Sequence, residues 1–386
     1  MICLVFAAAG IKNNAAEVII IGLGAMGSAS SYYLSKQGVK VLGFDTYHPP
    51  HNLGSSHGHT RVIREAYHEG ISYVPIVQRA YELWHEIQNS STKKIIMEYG
   101  GLYLGSDGIY LKDAKLSAEK YNIPILELNN KEILDRYKVL NPPENFQGLL
   151  ENRSGAVFPE NSIEYFLKNS KSNGSIHKFN ERVLSWEKLS DSYKVVTDKG
   201  DYFSEKLIFS SGAWIKNLLP IINIPVKTER QVLLWFEPKK DKELFLNKNI
   251  PNTGWDLENG LEFYTQPIIE SKGFKVAMHH NGKFISPDNL LRESNKDDID
   301  IIRGFLEEYI PSANGELIDT RVCIYTDTPD YDFILDRHPE DDNIIICSPC
   351  SGHGFKFTPA IGEICSNMIV GQNIQYDLSE FSLSRF

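Results

Sequence analysis

The first ordered hydrophobic pattern is a β-branched run at residues 18–21 (Val-Ile-Ile-Ile), of the kind shown by a strand covered on both faces. The chain then turns through Gly22-Leu-Gly24-Ala-Met-Gly27. The pattern predicts a helix to about Lys36, a stop at Gly38, and a second strand over 39–44 that ends at Asp45. Two later segments repeat apolar residues at helical spacing: Val77, Ala80, Leu83/Trp84 and Ile87 within 73–88, and Ile301/Ile302, Phe305/Leu306 and Tyr309/Ile310 within 299–310. Each set is expected to face a core. Between them, stretches such as 193–197 and 261–264 alternate as antiparallel strands do. Residues 343–346 again read as a buried strand, followed by a glycine turn and an apolar helix-like run over 359–370.

Strand–turn–helix punctuation at both ends, around a more β-rich middle, predicts an α/β chain with a discontinuous Rossmann-like domain and an antiparallel-sheet-rich substrate domain. The expected division is 17–92, 150–224 and 325–386 for the first, and 93–149 and 225–324 for the second. Residues 1–16 form a tail.

Composition narrows the partners. With 386 residues, 42% of them hydrophobic, the chain can bury a large core; its net charge of −10 and lack of a dense Lys/Arg run argue against nucleic acid. Five cysteines (Cys3, Cys323, Cys347, Cys350 and Cys365) in so long a chain do not make a disulfide framework. The apolar opening lacks a basic region and is too short to span a bilayer, so a tail or mis-assigned start is expected rather than an export signal. The ending Ser384-Arg385-Phe386 only loosely resembles a peroxisomal signal. Cytoplasm and no membrane partner are the expectation.

The glycines carry the first chemical signal. Gly22 permits the tight turn, Gly24 lets a pyrophosphate approach the backbone, and Gly27 allows close helix–strand packing, while the helix start offers free N–H groups. Asp45 ends the second strand, where an acid accepts ribose hydroxyls. This motif leaves NAD and FAD both open.

The next stretch, His51-Asn-Leu-Gly-Ser-Ser-His57-Gly-His-Thr-Arg61-Val-Ile-Arg64-Glu-Ala-Tyr67, resembles the monomeric sarcosine oxidase and N-methyltryptophan oxidase family of FAD-dependent amine oxidases, within the D-amino-acid-oxidase-like superfamily. Ser154-Gly-Ala-Val-Phe158, Ser211-Gly-Ala-Trp214, Arg230-Gln231, Phe274-Lys275, Arg321-Val-Cys323-Ile-Tyr325-Thr326 and Ser351-Gly-His-Gly-Phe-Lys356-Phe357 follow in family order, so the resemblance spans about 17–383. It implies covalent FAD, an 8α-S-cysteinyl bond at Cys323 formed by a thiolate that calls for a nearby cation; Arg61 is the candidate. It also implies a substrate carboxylate gripped by Arg64 and Lys356. Lys275 is implied at the flavin face where oxygen reacts, stabilising superoxide electrostatically. His57 and Arg61 would pack near the flavin, with Gly352 and Gly354 in the cofactor loop. His279, Tyr264 and Tyr325 would line the substrate cavity, with the adjoining His280 as the alternative to His279. The competing reading of each cation is a solvated surface charge, and that of Cys323 a buried structural thiol.

Three departures stand out. His59 replaces an acid usual in the family, Cys347-Ser-Pro-Cys350 replaces a small apolar stretch, and the tail is longer than the family needs. With no second Cys pair at zinc spacing, Cys347 and Cys350 are expected to be structural thiols, and no metal ligand is assigned. The reading is therefore an oxidase that converts sarcosine or a similar N-methyl amino acid to an imine, reduces O2 to H2O2, and works as a monomer on small molecules. N-methyltryptophan, pipecolate or proline are the alternative substrates, and a flavin-binding protein without turnover is a further alternative. A nicotinamide-dependent dehydrogenase would leave Cys323 and Lys356 without a role.

Overall fold

The computed structural model describes residues 14–386 apart from 107, 221 and 271. Five strands run parallel in the order Ile176–Phe179, Val41–Asp45, Ala15–Ile21, Asp201–Phe209, Asp341–Ser348. The long strand Asp201–Phe209 takes two neighbours on one edge. Its first residues pair antiparallel with Tyr193–Thr197, and its last three pair parallel with 344–346.

Period-two alternation explains why both faces of this sheet are apolar. Val18, Ile20, Val41, Ile208 and Ile345 point into a core with the helices Ala25–Lys36, Pro159–Ser172, Thr358–Val370 and Tyr73–Ser90. Ile19, Ile21, Leu42, Phe44, Leu207, Phe209, Ile344 and Ile346 point into the opposite core with Ile215, Leu219 and Val226. Helices Ala25–Lys36 and Thr358–Val370 touch backbone to backbone, because a Cβ at Gly362 would lie 2.7 Å from Ala29.

A second, nine-stranded sheet is mostly antiparallel. Its long pair is Lys227–Glu237 with Glu316–Asp327, joined by Phe274–His279 and Glu262–Gln266. Helix Lys296–Tyr309 covers it with Ile302, Phe305 and Leu306, against Trp255, Phe263 and Leu234. A three-stranded sheet of Arg61–Ile63, Gly155–Val157 and Ile96–Glu98 completes the fold.

The apolar pattern locates these elements but misplaces some ends. The second strand begins at Val41, two residues after the apolar pattern does, and the Lys40 carbonyl before it accepts from the backbone of Glu17 and Val18 at 3.1 and 3.2 Å. Helix Lys296–Tyr309 starts three residues before the apolar spacing does. Asn295 Oδ1 accepts from Asp298 N (3.1 Å) and Asp298 Oδ2 from Asn295 N (2.8 Å), a capping box. Ile301, assigned to the core-facing stripe, is 45% exposed, and only Ile302 of that pair packs inward. Among the described residues no helix is long and apolar enough to cross a membrane.

Candidate active site

A cleft of about 340 Å³ opens at the carboxyl ends of the strands Ala15–Ile21, Val41–Asp45 and Asp201–Phe209, lined by Gly22, Gly24, Asp45, Ser210–Trp214, Cys323–Thr326, Gly352 and Gly354. The glycines differ in what they do there. A Cβ at Gly27 would sit 1.8 Å from the Gly22 carbonyl, and one at Gly22 (φ +96°) 2.6 Å from that of Ser210, so both are packing glycines. At Gly24 a Cβ meets nothing within 4 Å, leaving the helix start open to a ligand. Asp45 braces this turn, accepting from Leu23 N and Tyr47 N, both at 2.9 Å. Gly352 (φ +78°) leaves room for Tyr325, whose ring a Cβ would meet at 2.7 Å.

The residues present fit a bound dinucleotide. The hydroxyls of Ser211 and Thr326 line the cleft, buried and without a partner. Both ring nitrogens of His57, 4% exposed, are also unpaired, although this residue does not itself line the cleft. Burial, helped by Arg61 and Lys275, pushes the His57 pKa down to about 3, so its ring is neutral. Cys323 is buried, and Arg61 Nη2 donates to its sulfur at 3.3 Å. The arginine is fixed in turn by the carbonyls of Thr60 (3.0 Å) and Ser55 (2.9 Å).

A second cavity of about 110 Å³ adjoins the cleft and shares Arg61, Cys323, Tyr325 and Gly352 with it. Arg64 and Lys356 both line it, 6% and 5% exposed. Arg64 pairs with Glu69 and touches His68. Burial disfavours its charge, but Glu69 and the neighbouring Tyr110, Tyr103 and Tyr67 together outweigh that, and the guanidinium stays charged. Lys356 Nζ donates to Tyr67 Oη (3.1 Å) and the His353 carbonyl (2.8 Å). Burial lowers its pKa to about 7, with Glu69 acting upward and Arg64 downward.

His279, Tyr264 and Tyr325 line the same cavity, with His279 Nδ1 and Tyr325 Oη 3.1 Å apart. Burial, then His280, holds the His279 pKa well below its usual value, and burial raises that of Tyr264 to about 12. His280 lines neither cleft nor cavity. Lys275 is also outside both. It faces a third cavity of about 200 Å³ with His59, Thr60 and Trp235, its Nζ donating to the carbonyls of Gly58 (3.1 Å) and Thr60 (2.8 Å). Burial and Arg61 depress its pKa strongly.

Cys347 contacts Cys365 (Sγ–Sγ 3.6 Å) rather than Cys350, and all the described cysteines are free. Sequence reasoning missed several cavity residues. Glu69 lies five positions after Arg64, a spacing that could have been noticed. Tyr103, Tyr110, Trp255 and Glu262 come from separate elements and carried no local signal. Burial, then Asp256, pushes the Glu262 carboxyl up to about 7.

A dinucleotide cleft meeting a small cavity with two buried cations is the arrangement of a cofactor enzyme for a small acid. A family model for FAD-dependent oxidoreductases matches residues 17–368. Monomeric sarcosine oxidase from Bacillus sp. (strain B-0618) is 38% identical over 376 residues, covering 96% of each chain; that from Arthrobacter sp. (strain TE1826) is 39% identical over 96% of each. N-methyl-L-tryptophan oxidase from Salmonella agona is 33% identical over 96% of this chain and 99% of that one. The solved structure of L-proline dehydrogenase from P. horikoshii shares the fold at a TM-score of 0.84 and 20% identity, over 97% of this chain and 98% of that one. The chain belongs to the FAD-dependent oxidoreductases and, within them, to the family of monomeric sarcosine oxidases and N-methyltryptophan oxidases.

Proposed function

We propose that this protein oxidises sarcosine or a similarly small N-methyl amino acid, with FAD tethered through Cys323. The observation that carries the reading is the convergence of Arg64 and Lys356 in a cavity that shares Cys323 and Tyr325 with the cofactor cleft. The chemistry supplied by bound FAD is removal of a hydride equivalent from the carbon next to nitrogen and transfer of the electrons to O2, leaving H2O2 and an imine that water hydrolyses, to glycine and formaldehyde for sarcosine.

The chain's own residues bind and orient. Arg64 exchanges Glu69 for the substrate carboxylate, while Lys356 adds a second charge-assisted bond. The neutral His279 ring, fixed by Tyr325, accepts from the substrate amine, and Tyr264 and Tyr325 close the cavity against water. Arg61, donating to the Cys323 sulfur, stabilises negative charge there before attachment. Lys275, held by its two carbonyls, stabilises reduced oxygen electrostatically. Gly22, Gly24, Gly27, Asp45, His57, Gly352 and Gly354 hold the cofactor. The likeness to monomeric sarcosine oxidases supports a monomer, and the cytoplasm is its proposed location.

A cavity of about 110 Å³ is small for a ligand site and favours a small amino acid over an indole-bearing one. Proline and pipecolate are the nearest alternatives. Acid precipitation tests the tether: yellow colour stays in the pellet of the wild type and is released in Cys323→Ala. A peroxide assay over sarcosine, N-methyltryptophan, proline, pipecolate and primary amino acids tests the substrate. Turnover of primary amino acids alone would reject it, and flavin binding without turnover of any would leave a non-catalytic binder.

A further inference from the structure

Three strands of the second sheet bring Glu229, His280 and Asp327 together outside both the cofactor cleft and the substrate cavity. One ligand atom from each lies within 4.8 Å of the other two. No spacing motif announces the group. It is made by register, since Lys227 pairs with Asp327 and Glu229 with Tyr325, which sets the two acids diagonally across one antiparallel pair. His280 follows the strand Phe274–His279 with φ +57°, and Asn281 has φ +61°, so a left-handed turn brings the imidazole to the acids. The turn is held by Gly282 N donating to Glu229.

These groups are only partly compensated. Glu229 and Asp327 are 1% and 3% exposed. Glu229 accepts from Gln231 Nε2 at 2.6 Å and from Gly282, and its other oxygen lies 3.6 Å from His280 Nδ1. Both carboxylate oxygens of Asp327, and His280 Nδ1, are buried without a partner. Two buried acids with unpaired oxygens are costly unless a cation or proton joins them. A single shared proton would satisfy one oxygen–oxygen contact and leave the second Asp327 oxygen and the imidazole nitrogen unpaired. A divalent ion takes all three atoms at once and neutralises both charges.

We propose that Glu229, His280 and Asp327 bind a divalent transition-metal ion. Two carboxylates and one imidazole are a donor set for Zn²⁺ or Mn²⁺. The atoms would close to roughly 3.3 Å spacing around an ion about 2.1 Å from each. The His280 side is 19% exposed, with the Tyr331 ring 4.5 Å from the imidazole, and it gives the ion its entry. The His280 ring lies 4.2 Å from that of His279 and 5.4 Å from that of Tyr325. The ion therefore ties the two strands that present His279 and Tyr325 to the strand that carries Glu229, and its role is positioning.

The test is titration of untagged holoenzyme, stripped with a chelator, with ZnCl2 and MnCl2, read by calorimetry and by Tm. One equivalent is expected to bind and raise Tm, with affinity falling at least about tenfold in Asp327→Asn and Glu229→Gln at unchanged FAD content. If either variant fails to fold, His280→Gln, at the partly exposed ligand, gives the same comparison. Absence of saturable binding to the wild type overturns the proposal, as does equal binding by wild type and variants.

Discussion

Arg64 and Lys356 address one aromatic ring: the guanidinium carbon lies 4.9 Å and the lysine nitrogen 5.0 Å from the ring centre of Tyr67. That ring is fully buried, and its hydroxyl joins Lys356 Nζ at 3.1 Å and His353 Nδ1 at 2.7 Å. Tyr67 thus sets the separation of the two cations without itself lining their cavity.

Tyr67→Phe keeps the ring and removes the hydroxyl, so Lys356 loses one of its two fixed partners. The expected cost is about 1 kcal/mol, or roughly a fivefold rise in Kd for a carboxylate ligand. Titration of the flavin spectrum with acetate measures it, and an unchanged Kd would count against the positioning role.

The pH dependence of carboxylate binding follows from Lys356, whose pKa burial lowers to about 7. A bound carboxylate favours the ammonium, so binding raises that value. Below about pH 7 the charge is already present and affinity is at its full value. Above it a proton must be taken up with the ligand, and affinity falls up to about tenfold per pH unit. In Glu69→Gln the upward influence on Lys356 is gone and the midpoint moves lower. The stability of the free protein is expected to follow the opposite trend. The folded pKa lies below the unfolded one, so stability rises with pH between about 7 and the ordinary value of 10.5. A flat acetate profile from about pH 6 to about pH 9 would remove Lys356 from the site.

The phosphate turn predicts two unlike glycine variants. Gly27→Ala forces a Cβ to 1.8 Å from a carbonyl and is expected to destabilise the fold by at least about 3 kcal/mol. Gly24→Ala, with φ −66° and open space around the new methyl, is expected to leave stability within about 0.5 kcal/mol but to lower the FAD-to-protein ratio. Denaturant melts and absorbance ratios separate the two effects.

Asn295→Ala removes the cap of the helix that covers the second sheet. A loss of about 1 kcal/mol is expected by urea unfolding, with kcat unchanged.

The sequence by itself determined the elements whose information is local. The run at 18–21, the three glycines and Asp45 specify a strand, turn and helix because spacing, φ and periodicity act over a few residues. The same locality made Cys323, Arg64 and Lys356 visible, since each lies in a short motif. Only the tertiary structure decided what those residues meet. Arg61 reaches Cys323 across 262 positions, and Lys356 reaches Tyr67 across 289. His279 faces the cavity while its neighbour His280 joins Glu229 and Asp327, because a left-handed turn at 280–281 sends successive side chains to different surroundings. Such contacts are set by strand register and sheet packing, whose energy comes from burial summed over the whole chain, and no local pattern encodes them.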